Sequence, residues 1–161
     1  MISAPITYDF HTQLAQGQAY EAHLDELFAC SYHIEPASVD DQRHGIDRFW
    51  RSKLFGANAP RIAVEYKADS RAGRTGNAFV ETVSVDKSGV QGWAITSRAD
   101  LLIYLVTDPE TIYCIWMINL RHKLPAWLQR YPAAQAANDG YSTHGILVPL
   151  DEFERIAAKV I

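Results

Sequence analysis

Ile62-Ala63-Val64-Glu65-Tyr66-Lys67 has the composition of a buried β-strand, yet it carries two charged residues. Side chains alternate between the faces of a strand, so Glu65 and Lys67 share one face while Val64 and Tyr66 take the other. Glutamate and lysine are uncommon in strands and are rarely buried without a partner. The pair is therefore either a salt bridge on a solvent-facing edge strand or part of a chemical site.

Asp47 lies upstream, in a second strand-like run over residues 45–50. A hairpin centred on Gly56 would put Asp47 directly opposite Glu65, whereas a turn centred nearer Asn58 would offset the two by about two residues on each strand. With a bulge or a water, one metal ion can bridge the carboxylates in either register. The spacing permits a shared site without requiring one.

The rest of the chain alternates helix-like and strand-like segments. Apolar residues at helical spacing predict a first helix over 17–29. Apolar runs rich in β-branched and aromatic residues predict interior strands over 101–106 and 112–118. Turn signals and composition predict strands at 45–55, 61–68, 78–85 and 145–150, helices at 97–102, 120–130 and 151–161, and flexible loops at 69–77 and 133–145. We therefore expect one mixed α/β domain over residues 1–161, a sheet covered by helices.

Composition excludes several classes of protein. The chain is 48% hydrophobic and 21% charged, which is typical of a globular domain. No run approaches the roughly 18 apolar residues of a membrane span, and residues 1–5 lack the features of a signal peptide, so we expect a cytoplasmic protein without membrane contact. Isolated cysteines argue against structural zinc and a disulfide framework. A phosphate-binding P-loop and a Gly-x-Ser-x-Gly elbow are also missing.

The charge distribution is more informative than the net charge of −4. Residues 1–42 contain seven acidic residues and no lysine or arginine. Residues 43–74 contain eight basic and three acidic residues. Positive charge is thus concentrated in the segment that holds Asp47, Glu65 and Lys67, as a phosphate-rich substrate would require.

Two carboxylates beside a lysine suit metal-dependent phosphodiester hydrolysis. Mg²⁺ prefers oxygen ligands and usually takes only one or two carboxylates, which Asp47 and Glu65 would supply, with the backbone carbonyl of Tyr66 as a further ligand. The ion polarises a phosphate and lowers the pKa of a bound water. Lys67 would orient that water or offset charge in the transition state. Mn²⁺ is expected to substitute for Mg²⁺.

Several short segments carry a family resemblance: Gly17-Gln-Ala-Tyr-Glu21, Gly45-Ile-Asp47, Val64-Glu65-Tyr66-Lys67, Thr75-Gly-Asn-Ala-Phe-Val-Glu81 and Gly92-Trp-Ala-Ile-Thr-Ser-Arg-Ala-Asp100. They resemble the PD-(D/E)XK nuclease superfamily, and its small phage and prophage members in particular, over residues 15–120. The resemblance implies a restriction-endonuclease-like α-β-β-β-α-β core, with a mixed central sheet flanked by helices and a C-terminal extension.

The resemblance also implies roles for individual residues. Asp47 and Glu65 would be metal ligands, Lys67 the catalytic lysine, and Glu21 the helix acid that reaches the metal through water. Asp25 lies one turn on from Glu21 and is an alternative helix acid. Ile46 precedes the aspartate where the family name has proline, a common departure. We further expect five basic residues to contact DNA: Arg48, Arg71, Arg74, Lys87 and Arg98. Glu81, an acid on a predicted strand, is a candidate for an additional role in the site.

Three functions compete at this point. The first is a Mg²⁺-dependent deoxyribonuclease, either an endonuclease or a structure-selective nuclease. The second is a catalytically silent nuclease-fold protein that acts as a nucleic-acid-binding or assembly module. The third is a plain α/β domain with a surface salt bridge. The acids and the lysine favour the first, because a non-catalytic domain has no physical need to hold like charges together. The form of the DNA substrate and the choice between monomer and homodimer stay open.

Overall fold

Two β-sheets and their covering helices make up the computed structural model, which describes residues 10–137 and 140–161. The helices are α1 (Phe10–Phe28), α2 (Val39–Arg43), α3 (Ala72–Thr75), α4 (Trp93–Thr96), α5 (Met117–Arg130) and α6 (Leu150–Ile156). The strands are β1 (Tyr32–Pro36), β2 (Arg48–Ser52), β3 (Ile62–Asp69), β4 (Asn77–Val85), β5 (Val90–Gln91), β6 (Leu101–Thr107), β7 (Glu110–Trp116), β8 (Ala133–Ala137), β9 (Ser142–Pro149) and β10 (Lys159–Val160). The predicted α/β class with a mixed sheet is confirmed.

The first sheet has six strands in the order β1-β2-β3-β6-β7-β10. β3 and β6 run parallel, and the other neighbouring strands run antiparallel. Residues 101–106 are all buried, which explains their continuous apolar run, since a central strand is covered on both faces. The two strands predicted from apolar runs are therefore the interior strands β6 and β7.

A separate hydrophobic cluster lies on each face of the first sheet. Leu24 and Phe28 of α1 pack with Trp50, Val64 and Tyr66 on one face. On the other face, Ala63, Leu102 and Tyr104 join a larger cluster with α5, α6 and the second sheet. Because side chains alternate along β3, Glu65 and Lys67 project from the face opposite α1.

The second sheet is antiparallel, with the order β5-β4-β9-β8. Val80, Ile146 and Val148 are buried in the larger cluster, while the alternate residues Phe79 and Glu81 are only partly buried. A strand was predicted at residues 78–85 within one sheet, but β4, which forms there, belongs to the second sheet. The place beside β3 is taken by β6, whose uninterrupted apolar run needs burial on both faces, whereas β4 alternates and suits a half-exposed sheet. The α-β-β-β-α-β core order that the resemblance implies is therefore not confirmed.

Other differences from the sequence prediction have local causes. Residues 32–43 hold β1 and α2, which were not predicted, and the hydroxyl of Ser38 caps α2 by accepting the N–H of Asp41 at 3.1 Å. The short helix predicted at 97–102 lies earlier, as α4. The carboxylate of Asp100 accepts the N–H of Ala63 in β3 at 2.9 Å, and β6 begins at the next residue, so this part of the chain joins the sheet and not a helix.

The C-terminal third also differs from the prediction. β8 occupies residues 133–137 of the predicted loop, while residues 138 and 139 lie outside the described residues. Pairing with β9 gives this alanine-rich segment its strand structure, in spite of the low strand propensity of alanine. The last helix, α6, ends at Ile156 and is followed by β10, which pairs with β7. Within the described ranges, no helix combines the length and apolar character that crossing a membrane requires.

Candidate active site

The β2–β3 hairpin brings Asp47 beside Glu65. Arg48 pairs with Val64, so continuing the register by one residue places Asp47 opposite Glu65, as expected for a hairpin centred on Gly56. Asp47 Oδ2 accepts the N–H of Tyr66 at 2.7 Å. The aspartate side chain therefore continues the contact between the strands where the regular ladder ends, and this bond holds the carboxylate against β3.

Glu65 and Lys67 form an ion pair inside the molecule. The two side chains meet at 2.7 Å between Glu65 Oε1 and Lys67 Nζ, with 1% and 35% of their surfaces exposed. Because Glu65 is enclosed, the alternative of a salt bridge that faces solvent is wrong. The lysine side chain is partly exposed and lines a cleft, while the glutamate side chain is enclosed.

The second carboxylate oxygen of Glu65 has no bonding partner. Oε2 is buried and makes no hydrogen bond with any described residue. The hydroxyl of Ser97 is near enough to favour the ionised form of Glu65, but it donates its proton to the carbonyl of Gly45 at 3.0 Å. A buried acceptor without a donor costs about 1–3 kcal/mol, and more when it is charged. This oxygen is therefore the least satisfied polar atom of the site.

Burial and neighbouring charges oppose each other in the titration of this pair. Burial raises the pKa of Glu65, and Asp47 adds to that rise, although the charge of Lys67 opposes both. For Lys67, burial lowers the pKa, but the carboxylates of Glu65, Asp47 and Glu81 outweigh it, so that the net pKa is raised. Lys67 is therefore protonated at neutral pH, and three carboxylates lie within electrostatic reach of it.

Glu21 and Asp25 project from α1 and share one arginine. Arg48 donates to Glu21 Oε2 at 3.0 Å and to Asp25 Oδ2 at 2.9 Å. The hydroxyl of Tyr66 donates to Asp25 Oδ1 at 2.9 Å. Burial raises the pKa of Glu21, with a further rise from Asp47, in spite of the charge of Arg48. Glu21 is thus the helix acid whose pKa Asp47 helps to raise, whereas Asp25 accepts from both Arg48 and Tyr66.

These contacts correct the role expected for Arg48. Its side chain is only 14% exposed, and it holds α1 against β2 through the two acids. It also donates to the backbone carbonyl of Asp47 at 2.9 Å. A guanidinium that is bonded to three acceptors and is largely buried presents little surface to DNA, so Arg48 is better described as a support for Asp47.

An open cleft of about 1980 Å³ contains most of the predicted site residues. Asp47, Glu65, Tyr66 and Lys67 line it, and so does Glu81, which comes from the second sheet. Glu21 is not part of the lining, although its neighbours Gly17 and Tyr20 are. Besides Lys67, the lining contains the arginines Arg43, Arg71 and Arg98, whereas Arg74 and Lys87 are exposed outside it.

Residues 69–77, expected to be a flexible loop, contain the short helix α3. Asp69 Oδ1 accepts the N–H groups of Arg71 at 2.8 Å and Ala72 at 2.9 Å, and the Tyr104 hydroxyl donates to Asp69 Oδ2 at 2.6 Å. Burial raises the pKa of Tyr104 well above its usual value, and Asp69 adds to the rise. Asp69 and Tyr104 were missed in the sequence, although an aspartate that accepts the N–H groups of the residues just after it is a typical turn signal.

The ligand set for a metal ion is small. Among the residues that the structure describes, no group of three or more histidine, cysteine, aspartate or glutamate side chains could hold an ion. A metal here would rest on Asp47 and Glu65 with backbone oxygens and water, and Mg²⁺ often binds with one or two carboxylates in this way.

Compared with protein-family models, curated proteins and solved structures, the chain matches none.

Proposed function

We propose that this protein is a Mg²⁺-dependent deoxyribonuclease that hydrolyses phosphodiester bonds in the cleft. The observation that carries the proposal is the unpartnered Oε2 of Glu65, buried beside the protonated Lys67 and opposite Asp47. A cation bound at this oxygen would remove the free-energy cost of leaving it without a partner. A domain with no chemical task would lose nothing by having an apolar residue at this position.

The oxygens available for a cation fit Mg²⁺. Glu65 offers Oε2, and Asp47 offers Oδ1, because its Oδ2 accepts the N–H of Tyr66. The N–H and carbonyl of one strand residue point to the same edge, so the Tyr66 carbonyl lies on the Asp47 side of β3. β2 begins at Arg48, opposite Val64, so this part of the β3 edge lies beyond the end of β2. Bound Mg²⁺ would supply Lewis acidity and an activated water, and Mn²⁺ is expected to replace it.

The side chains of the chain have separate tasks in this proposal. Lys67 bonds Glu65 Oε1, opposes the rise that burial causes in the pKa of that carboxyl, and lines the cleft, where it would offset charge developing on a phosphate. The N–H of Tyr66 fixes the orientation of Asp47. Glu21, which is bonded to Arg48 and whose pKa is raised by burial and by Asp47, would act on the metal ion through a water.

The charges around the cleft support a phosphate-bearing substrate. Arg43 and Arg98 are exposed and line the cleft, and Arg71 lines it from the segment before α3. Phosphate contacts by such residues supply salt-dependent affinity that does not depend on base sequence. Because the chain has a net charge of −4, this attraction would be local to the cleft.

A binding module without catalysis is the second candidate. The ion pair between Arg48 and Glu21 favours it, since the helix acid is already bonded inside the protein. The two candidates differ in one measurable respect. A binding module would hold DNA equally well with and without a divalent ion and would leave it intact.

Metal-dependent cleavage is the decisive experiment. Plasmid, single-stranded, flap and four-way-junction DNA would be incubated with the protein in Mg²⁺, in Mn²⁺ and in EDTA, and ion binding would be measured by calorimetry. We expect Glu65→Gln to lose both ion binding and cleavage. Glu35→Gln is the matched control, because Glu35 is an exposed strand glutamate outside the cleft lining. Wild-type protein that binds DNA but cleaves none of these substrates with either ion would support the binding module instead.

A further inference from the structure

In the second sheet, the Phe79 ring lines the cleft and lies beside Gly145 of the neighbouring strand, which has no side chain. A Cβ added to Gly145 would lie 3.0 Å from Cζ of Phe79 and 2.4 Å from the carbonyl oxygen of Val80. The Phe79 ring therefore lies across the backbone of β9, over a buried glycine. The same ring is partly exposed and lines the cleft.

Small residues continue this surface beyond the ring. Gly145 pairs with Glu81 on one side and with Ala134 on the other, so the three lie on the same face of the sheet. Ala136, two residues along β8, shares that face and also lines the cleft. We call Phe79, Gly145, Ala134 and Ala136 the Phe79 platform. It combines one aromatic ring with small residues, and Leu147, which pairs with Phe79 on the same face, lines the cleft beside the ring.

Charge is divided unevenly around the cleft. Among the described residues of the second sheet that line it, none is a lysine or arginine, and Glu81 is acidic. The exposed cations Arg43 and Arg98 come instead from the segments that precede β2 and β6, which are joined by the bond from Arg98 N–H to the carbonyl of His44 at 2.8 Å. Phosphates would therefore be drawn to these arginines, while Glu81 would repel them from the platform.

This division suits a nucleic acid that shows its bases to one side and its phosphates to another. An unpaired strand can do so, whereas an intact duplex keeps its bases paired inside two outward-facing backbones. We propose that the Phe79 platform stacks on an unpaired base, and that the substrate class is DNA with a single-stranded segment. The expectation that the bound DNA is cleaved rests on the proposed nuclease function, whereas base stacking itself requires no metal. Trp93 also lines the cleft, but it packs against the core, so Phe79 is the residue assigned.

The test measures binding in EDTA, where cleavage cannot interfere. Fluorescence anisotropy would compare a labelled oligothymidine with a duplex of the same length. We expect Phe79→Leu, which keeps the apolar bulk but removes the ring, to weaken single-strand binding about 5- to 100-fold, the range for loss of one base–aromatic stack. Duplex binding should change less than about twofold, as should single-strand binding by Phe79→Tyr. Phe55→Leu is the matched control, since Phe55 is 71% exposed and lies outside the cleft lining.

A second measurement needs no variant and so does not depend on the folding of Phe79→Leu. Wild-type protein should bind an oligonucleotide of abasic sites more weakly than oligothymidine by a similar factor. Equal affinity for the abasic and normal strands would overturn the inference, as would an equal loss of single-strand and duplex binding in Phe79→Leu. Base-dependent binding without cleavage in Mg²⁺ or Mn²⁺ would support the platform and refute the nuclease, so the two proposals fail separately.

Discussion

Replacing Lys67 with methionine tests the buried ion pair and the proposed chemistry in one protein. Methionine keeps most of the apolar stem of the side chain and removes the ammonium that bonds Glu65 Oε1 at 2.7 Å. Glu65 would then be an enclosed carboxylate with neither oxygen paired. Breaking a fully buried pair costs about 3–5 kcal/mol, and an exposed pair contributes only about 0–1 kcal/mol. Because Lys67 is 35% exposed, we expect an intermediate loss of about 1–3 kcal/mol at neutral pH.

The loss of stability should depend on pH in a defined direction. Burial already raises the pKa of Glu65 in the folded protein, and removing Lys67 removes an opposing influence, so the pKa rises further. A carboxyl with a raised folded pKa favours folding below its unfolded pKa, and this contribution is lost as pH rises through the folded value. The stability difference between wild type and Lys67→Met should therefore shrink as the pH is lowered toward the usual glutamate range. Urea unfolding at neutral and at mildly acidic pH measures it.

Cleavage by the same variant provides the second readout. If Lys67 offsets transition-state charge, single-turnover plasmid cleavage in Mg²⁺ should fall by about 10²-fold or more, beyond any effect of the lost stability. Lys123→Met is the control, since Lys123 is an exposed lysine on α5 outside the cleft. A Lys67→Met protein as stable as wild type at both pH values would contradict the buried pair. One that cuts DNA at the wild-type rate would refute the mechanism.

Two further predictions concern the walls of the cleft. Asp69→Ala removes the acceptor for two N–H groups at the start of α3 and for a buried tyrosine hydroxyl. We therefore expect the free energy of unfolding in urea to fall by about 2–4 kcal/mol and trypsin to cleave faster within residues 69–77. Unchanged proteolysis would show that Asp69 does not order this segment. Arg43→Ala with Arg98→Ala should reduce the slope of log affinity for single-stranded DNA against log salt by about 1.4, whereas the exposed pair Lys123→Ala with Arg130→Ala should leave the slope unchanged. Equal slopes for both double variants would exclude the two arginines from phosphate binding.

Local rules were sufficient for part of this molecule. Strand alternation predicted that Glu65 and Lys67 share a face. Of the two hairpin registers that the sequence allowed, the structure has the one centred on Gly56, which places Asp47 opposite Glu65. The apolar runs predicted the interior strands β6 and β7, because a strand buried on both faces must be apolar throughout. These features depend on spacing over a few residues or on one turn, and this is the information that a sequence contains in readable form.

The partners of each element were decided only in the tertiary structure. The alternation of β4 was visible in the sequence, but its pairing with β9, across more than sixty residues, was not. Arg48 lies in a basic segment and was predicted to contact DNA, but in the structure its guanidinium is bonded to Glu21 and Asp25 of α1. The glycine beneath Phe79 likewise comes from a distant strand. Contacts of this kind result from competition among many long-range pairings for the same buried surface, and no local period records which of them wins.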